Sequence, residues 1–278
     1  MLKQKWKSTL AFLSISLGGL LLMINAVNIF MKPIAEINPT GREPIANYDF
    51  RTLELEKAQR QFKNLQSENI TEEEKAQQLF ALISGSFVHT PSYNHIKPWE
   101  NWILWMGGTL KDKKFLRSYN PDLLWKKGGG FCSQAALIFA AKGQGLGLKT
   151  RLIGLTGHVV AEVYLPDKGW RVVDPDMGIF WDNSIDSFGI HPSEEEIKHK
   201  LLARGFSEEL SQKFASIYTS QENNFYKQYP PSPDRILLEE LSNWLKWVIP
   251  FVLIGTGLSK KGSSFRTRFT RARIQYGI

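Results

Sequence analysis

The only cysteine of the chain, Cys132, lies where a nucleophile could act. It follows the three glycines at 128–130 and opens the Ala-rich segment 133–141, which predicts a helix. The thiol would then lie in the first turn of this helix, where unpaired N–H groups and the positive end of the helix dipole favour a thiolate. His158 and Asp174 follow, each in a segment that predicts a strand. These three residue types are the ones that covalent acyl chemistry uses.

The turn at residues 166–169 decides whether His158 and Asp174 can meet. The segments on either side of it predict two strands of a hairpin. A three-residue loop with Gly169 at or beside the left-handed position puts both side chains on one face, as near-diagonal neighbours. A two-residue loop would put them on opposite faces. We therefore predict that Asp174 holds one ring nitrogen of His158, and that the other ring nitrogen faces Cys132.

Four short motifs follow one another between residues 130 and 178. They are Gly130-Phe-Cys132, Gly147-Leu-Lys-Thr-Arg151, His158-Val-Val-Ala-Glu162-Val163 and Trp170-Arg-Val-Val-Asp174-Pro175. This order of motifs resembles the core of the transglutaminase-like superfamily, whose members are relatives of papain-like cysteine peptidases. The resemblance implies that Cys132 is the nucleophile, His158 the base and Asp174 the orienting acid.

The same resemblance implies an α+β fold with a transglutaminase-like or papain-like core. In that fold the helix that carries Cys132 packs on an antiparallel sheet that carries His158 and Asp174. The backbone N–H of Cys132 could help to bind an oxyanion. No side chain is identified as the second oxyanion donor, and Trp125 and Asn120 are the candidates.

Other polar residues receive structural roles. Glu162 is expected to pair with a basic residue, and Arg151 to fix the packing of its strand. Two histidine pairs could bind a metal, but neither has the helical spacing of a metal site or an obvious third ligand, so surface or capping roles are preferred. These pairs are His89 with His95 and His191 with His199.

The basic charge of the chain is concentrated at its ends. The net charge is +8, from 35 basic and 27 acidic residues. Nine of the basic residues lie near the two ends of the chain, namely Lys3, Lys5, Lys7, Lys260, Lys261, Arg266, Arg268, Arg271 and Arg273. The rest of the chain has 26 basic and 27 acidic residues. The body is therefore close to neutral, which argues against a nucleic-acid partner.

Two apolar segments lie just inside these basic ends. Residues 8–31 carry no charge and are long enough, at 1.5 Å per residue, to cross a bilayer core of about 30 Å. A cleaved signal peptide is the competing interpretation, but the segment is long and no clean Ala-x-Ala site follows. Residues 244–258 are shorter and contain Lys246 and Pro250, so a buried or amphipathic helix is the alternative to a second span.

The positive-inside rule orients both apolar segments in the same way, with both termini in the cytoplasm and the body outside. The predicted organisation is a cytoplasmic N-terminus (1–7), an anchor (8–31), a linker (32–47), the transglutaminase-like domain (48–235), a second transmembrane helix (241–258) and a cytoplasmic tail (259–278). Within the domain, Thr71 is expected to start a helix, and residues 193–227 to form two helices capped by Ser193 and Ser207.

These features predict a membrane-anchored cysteine hydrolase or acyltransferase. We expect cleavage or transfer at an amide bond of a peptide, protein or cell-envelope substrate, with hydrolysis favoured because water is always available as the acceptor. No metal or organic cofactor is implied. The alternative is an inactive membrane scaffold that binds a protein or envelope partner, with membrane lipid around the terminal helices in either case. The expected location is the bacterial cytoplasmic membrane, with the main domain on the extracytoplasmic side.

Overall fold

The computed structural model describes residues 2–30, 53–89, 95–184, 192–220, 223 and 233–276. The predicted linker at 32–47 and His191 lie outside these residues. The chain forms two compact units, which we describe separately. One comprises residues 1–32, 96–117 and 237–278, and the other comprises residues 33–95 and 118–236. Residues 96–117 fall inside the predicted domain at 48–235, yet they cluster with the two ends of the chain.

Helices make up most of the described structure. In chain order they are α1 (Leu2–Phe30), α2 (Leu55–Leu65), α3 (Glu72–Ser86), α4 (Pro98–Leu110), α5 (Pro121–Lys127), α6 (Cys132–Gly145), α7 (Glu194–Ala203), α8 (Glu208–Thr219) and α9 (Pro233–Tyr276). Thr71, Ser193 and Ser207 cap α3, α7 and α8 with their side chains, as predicted. Each cap satisfies an N–H group that the first helical turn would otherwise leave without an acceptor.

Six strands form two sheets among the described residues of the larger unit. They are β1 (Val88–His89), β2 (Gly129–Gly130), β3 (Lys149–Leu155), β4 (His158–Leu165), β5 (Gly169–Asp174) and β6 (Ile179–Phe180). The short strands β1 and β2 pair in parallel, and the other four form an antiparallel sheet in the order β3-β4-β5-β6. Strands β3, β4 and β5 are as predicted from the sequence, whereas the three two-residue strands were not predicted.

The hairpin between β4 and β5 has the predicted register. Leu165 pairs with Gly169 and Ala161 with Val173, so the loop between them has three residues. In this register, even-numbered residues of β4 lie on the same face as even-numbered residues of β5. Gly169 adopts φ +71°, a left-handed conformation that glycine reaches without a steric cost. The side chains of His158 and Asp174 therefore belong to the same face of the sheet.

The antiparallel sheet is packed on both faces. Leu152, Ala161 and Val163 belong to one apolar core, which they share with helices α2, α3, α5 and α6. Val160 and Val172 belong to a second core, which they share with α7 and α8. Burial of both faces fixes the register of the sheet, because a slip of one residue would exchange the two sets of side chains.

The smaller unit contains the two apolar helices. Segments Ser8–Phe30 of α1 and Asp234–Lys260 of α9 are long and apolar enough to cross a membrane, by length and composition. A Cβ atom added at Gly18 would lie 2.7 Å from the Pro250 carbonyl oxygen, and one added at Gly257 would lie 2.8 Å from the Ala11 carbonyl oxygen. Early residues of α1 thus face late residues of α9, so the helices run antiparallel, and Gly18 and Gly257 lie in close contact with the facing helix.

A polar cluster joins α4 to this helix pair. The Asn25 side chain donates to the backbone oxygen of Lys246 at 2.6 Å. Lys246 is buried, and its Nζ donates to the backbone oxygen of Glu100 at 2.6 Å. Asn101 donates to the Ser242 hydroxyl at 2.7 Å. Helix α4 therefore docks through hydrogen bonds as well as through its apolar side chains.

Candidate active site

Cys132 is the first residue of α6, as its sequence context predicted. Phe131 before it is extended, and the Phe131 N–H donates to the Gln134 side-chain oxygen at 3.0 Å, which closes the first turn. The Gln134 side-chain nitrogen donates in turn to the Ser118 backbone oxygen at 3.1 Å. These two hydrogen bonds of Gln134 fix the first turn of the helix. The Cys132 side chain remains partly exposed.

His158 and Asp174 form a buried pair across the hairpin. His158 Nε2 lies 2.6 Å from Asp174 Oδ2, and neither side chain has appreciable exposure. Because an ionised Asp174 can only accept, Nε2 must carry a proton, which leaves Nδ1 as the ring nitrogen that can face the thiol. The predicted diagonal contact across β4 and β5 is present.

Asp174 accepts two further hydrogen bonds that the sequence analysis missed. The hydroxyl of Tyr218, on α8, donates to Asp174 Oδ2, and the backbone N–H of Met177 donates to Oδ1 at 3.0 Å. Burial, followed by the charge of Asp174, raises the pKa of Tyr218 well above its usual value, so its hydroxyl remains a donor. Phe214 of the same helix packs edge-on against the His158 ring, with the ring centroids 5.2 Å apart.

The imidazole of His158 lies between a carboxylate and the thiol. The Cys132 sulfur, a ring nitrogen of His158 and a carboxylate oxygen of Asp176 all lie within 4.8 Å of one another. Burial lowers the pKa of His158, but the charge and hydrogen bond of Asp174, together with the hydrogen bond to Cys132, outweigh it and hold this pKa well above its usual value. The site thus favours an imidazolium beside the sulfur.

A second histidine–carboxylate pair adjoins the thiol. His89 Nδ1 lies 2.8 and 2.9 Å from the two carboxylate oxygens of Asp176. The Asp176 side chain is 3% exposed and that of His89 is 27% exposed, so the surface or capping role expected for His89 was wrong. Pairing of His89 with Gly130 brings β1 beside the segment that leads to Cys132.

An ion pair joins strands β3 and β4. Arg151 and Glu162 are cross-strand partners, and Arg151 Nε lies 2.6 Å from Glu162 Oε2. Glu162 is fully buried, while the Arg151 guanidinium also lies over the Trp170 ring, 4.1 Å from its centroid. The structural role expected for these two residues is confirmed.

The two candidates for an oxyanion-binding side chain are engaged elsewhere. The Trp125 indole N–H donates to the Ser86 hydroxyl at 3.0 Å, and its ring is buried against Phe62. The Asn120 side-chain oxygen caps α5 by accepting from the N–H groups of Asp122 and Leu123. The indole donor of Trp125 is thus already used, and the Asn120 oxygen has a capping role.

Comparison with known families agrees with the motifs. Residues 65–175 match the family model of the transglutaminase-like superfamily, which confirms the resemblance drawn from the four motifs. The chain thus contains a transglutaminase-like region in a mixed helix and sheet fold. The matched region includes Cys132, His158 and Asp174 but ends before Asp176 and Tyr218. No curated protein matches the chain.

Proposed function

We propose that the protein is a membrane-anchored cysteine hydrolase that cleaves an amide bond through Cys132, His158 and Asp174. The observation that carries the proposal is the position of the His158 ring, which is bound to Asp174 at 2.6 Å through one nitrogen and contacts Cys132 with its other side. The transglutaminase-like match supports the same chemistry. The substrate class is a peptide, a protein or a cell-envelope amide.

In the first half of the reaction, the Cys132 thiolate attacks the amide carbonyl carbon and the carbonyl electrons move to oxygen. The backbone N–H of Cys132 lies in the first turn of α6, where the helix itself supplies no acceptor, and it can stabilise that oxyanion. The C–N bond then breaks as His158 Nδ1 gives its proton to the leaving amine. The products of this half are a thioester on Cys132 and a free amine.

In the second half, neutral His158 accepts a proton from water through Nδ1, and the resulting hydroxide attacks the thioester carbon. The C–S bond breaks, the carboxylic acid leaves, and the thiolate–imidazolium pair is restored. An amine that replaces water in this step would give transfer instead of hydrolysis. Asp174 keeps the proton on Nε2 in both halves, so Nδ1 alone exchanges protons with the substrate.

The apolar helices α1 and α9 support the proposed membrane anchoring. Their apolar segments have the length and composition of spans, and the lysines before α1 and the basic residues after Ser259 orient both termini towards the cytoplasm. We propose on this basis that the main domain lies on the extracytoplasmic side of a bacterial cytoplasmic membrane. The substrate would then be an envelope component or an exported protein.

Oxygen-18 labelling tests the proposal. Detergent-solubilised full-length protein is incubated in ¹⁸O-labelled water with peptides prepared from cell-envelope proteins, and the products are examined by mass spectrometry. We expect new carboxyl groups that contain one ¹⁸O atom, formed by the wild-type protein and lost in Cys132→Ser and His158→Ala. Equal labelling in all three proteins would contradict the proposal. Retention of a peptide by Cys132→Ser without any labelling by the wild type would favour the scaffold alternative.

A further inference from the structure

Three side chains around the thiol form a potential ligand set for zinc. Cys132 offers a sulfur, His158 a ring nitrogen and Asp176 a carboxylate oxygen, all within 4.8 Å of one another. Zinc binds these donor types at about 2.0–2.3 Å, which sets neighbouring ligand atoms of a tetrahedral site roughly 3.3–3.8 Å apart. The cluster therefore needs only small side-chain movements to enclose an ion.

Two of these donors are already oriented by a partner on their far side. Asp174 binds His158 Nε2 at 2.6 Å, which leaves Nδ1 as the ring nitrogen that can bind an ion. His89 Nδ1 binds the Asp176 carboxylate at 2.8 Å. Zinc sites in proteins use such carboxylate–histidine contacts to fix the orientation of their ligands. Asp174 and His89 would take this role here.

Burial and charge also suit a cation. The Asp176 side chain is 3% exposed and adjoins a sulfur that is negative when deprotonated. Zinc would neutralise both anions, and buried charges are otherwise costly unless they are paired. His199 and Glu195 form an exposed pair, 3.2 Å apart. Among the described residues, only the Cys132 cluster brings three candidate metal ligands together, so this exposed pair lacks a third ligand.

We propose that Cys132, His158 and Asp176 bind one zinc ion, which holds the thiol in a reversible resting state. The inference rests on the proposed function for its regulatory meaning, because zinc engages the electron pair with which the sulfur would attack a carbonyl. Binding forms the S–Zn and N–Zn bonds and releases the proton that His158 Nδ1 carries in the thiolate–imidazolium pair, so His158 binds as the neutral imidazole with its remaining proton on Nε2. A water molecule would complete the tetrahedron in the fourth position.

Cobalt titration tests the site without any need for catalysis. Full-length protein is stripped of metal with a chelator and titrated with Co²⁺, whose bond to a thiolate gives a near-ultraviolet charge-transfer band. Zinc affinity is then measured by displacement of the cobalt. We expect one ion per chain and no thiolate band in Cys132→Ser. Asp176→Asn removes a ligand and should weaken binding at least as much as His89→Ala, which should cost about 10–100-fold.

His199→Ala is the matched control, because it removes a histidine from an exposed carboxylate pair on α7. Its metal affinity should equal that of the wild type. Circular dichroism of each variant verifies that it is folded, and His89→Ala provides a second test if Asp176→Asn is not. Unchanged cobalt affinity in both folded variants, or the absence of a thiolate band in the wild type, would overturn the zinc site.

Alkylation by iodoacetamide separates this inference from the proposed function. Zinc in excess should protect Cys132 of the wild type, with the protection reversed by chelator. Amide hydrolysis without Asp176-dependent metal binding would refute the zinc site and leave the hydrolase intact. Asp176-dependent metal binding in a protein whose metal-free thiol is inert would support the zinc site and refute the hydrolase.

Discussion

Asp174 is the residue on which the charge distribution of the site depends. It is fully buried and accepts from His158 Nε2, from the Tyr218 hydroxyl and from the Met177 backbone N–H. A buried carboxylate is tolerable because these donors satisfy its oxygens. The same contacts fix which ring nitrogen of His158 is protonated and which one faces the thiol.

The pH dependence of turnover should report the raised pKa of His158. Because the pKa is raised in the folded protein, His158 is fully protonated below about pH 6.5, and its charge stabilises the fold there. Both the charge and this stabilisation are lost only as the pH rises through the pKa of His158 in the folded protein. We therefore expect the high-pH limb of kcat/KM to lie well above pH 6.5. Asp174→Asn removes the opposing charge, so its limb should move to lower pH. An unchanged limb in this variant would show that Asp174 does not set the proton affinity of His158.

Tyr218→Phe should destabilise the protein without any change of shape. The substitution deletes the hydroxyl that donates to Asp174 and leaves a buried carboxylate short of one partner. We expect a loss of about 1–3 kcal/mol in the free energy of unfolding, measured with denaturant. Tyr164→Phe is the control, because Tyr164 is partly exposed and contacts Trp170 through its ring, and its loss should stay within about 0.5 kcal/mol. Equal losses in the two variants would rule out a special role for the Tyr218 hydroxyl.

At the scale of elements, the hairpin could be predicted because side-chain alternation and the length of the loop together fix its register. Side chains alternate along β4 and β5, and a three-residue loop before Gly169 sets the pairing, so His158 and Asp174 had to share a face. The start of α6 was equally predictable from the glycines before Cys132. Local sequence thus contained most of the triad geometry.

His89, Asp176 and Tyr218 could not be found in the same way. His89 reaches the site through β1, a strand of two residues that pairs with a distant segment and is too short to show a period. Asp176 lies in the turn after β5, where the chain direction cannot be deduced from alternation. Tyr218 had a weak signal, since Ser211, Ala215 and Tyr218 form the buried stripe of α8 at helical spacing. That stripe shows burial but not the partner.

The contact between α1 and α9 makes a prediction about its glycines. Gly18→Ala and Gly257→Ala would place a Cβ atom less than 3 Å from a backbone oxygen of the facing helix. Such overpacking costs about 1–3 kcal/mol, so the melting temperature in detergent should fall by several degrees. Gly19→Ala and Gly255→Ala are matched controls, because an added Cβ meets no atom within 4 Å there. Equal melting temperatures in all four variants would contradict this helix contact.

At the scale of the whole molecule, charge and hydropathy make one topological prediction. Basic residues flank both apolar segments on the sides that should be cytoplasmic. Tags fused to the two termini should therefore resist protease added from outside. The main domain should be digested once the cell envelope outside the cytoplasmic membrane has been made permeable to the protease. A C-terminal tag that is cleaved under the same conditions would contradict the second span.

The reactivity of Cys132 tests the central claim most directly, because it is the only thiol in the chain. The measurement is the rate of alkylation by iodoacetamide from pH 5 to pH 10 for metal-free wild-type protein and His158→Ala, each folded by circular dichroism. We expect the wild type to react rapidly well below pH 8, and His158→Ala to react about tenfold or more slowly at pH 7, with the profile of a free cysteine that titrates near 8.5. A wild-type profile that matches free cysteine and is unaffected by His158→Ala would contradict the thiolate–imidazolium pair.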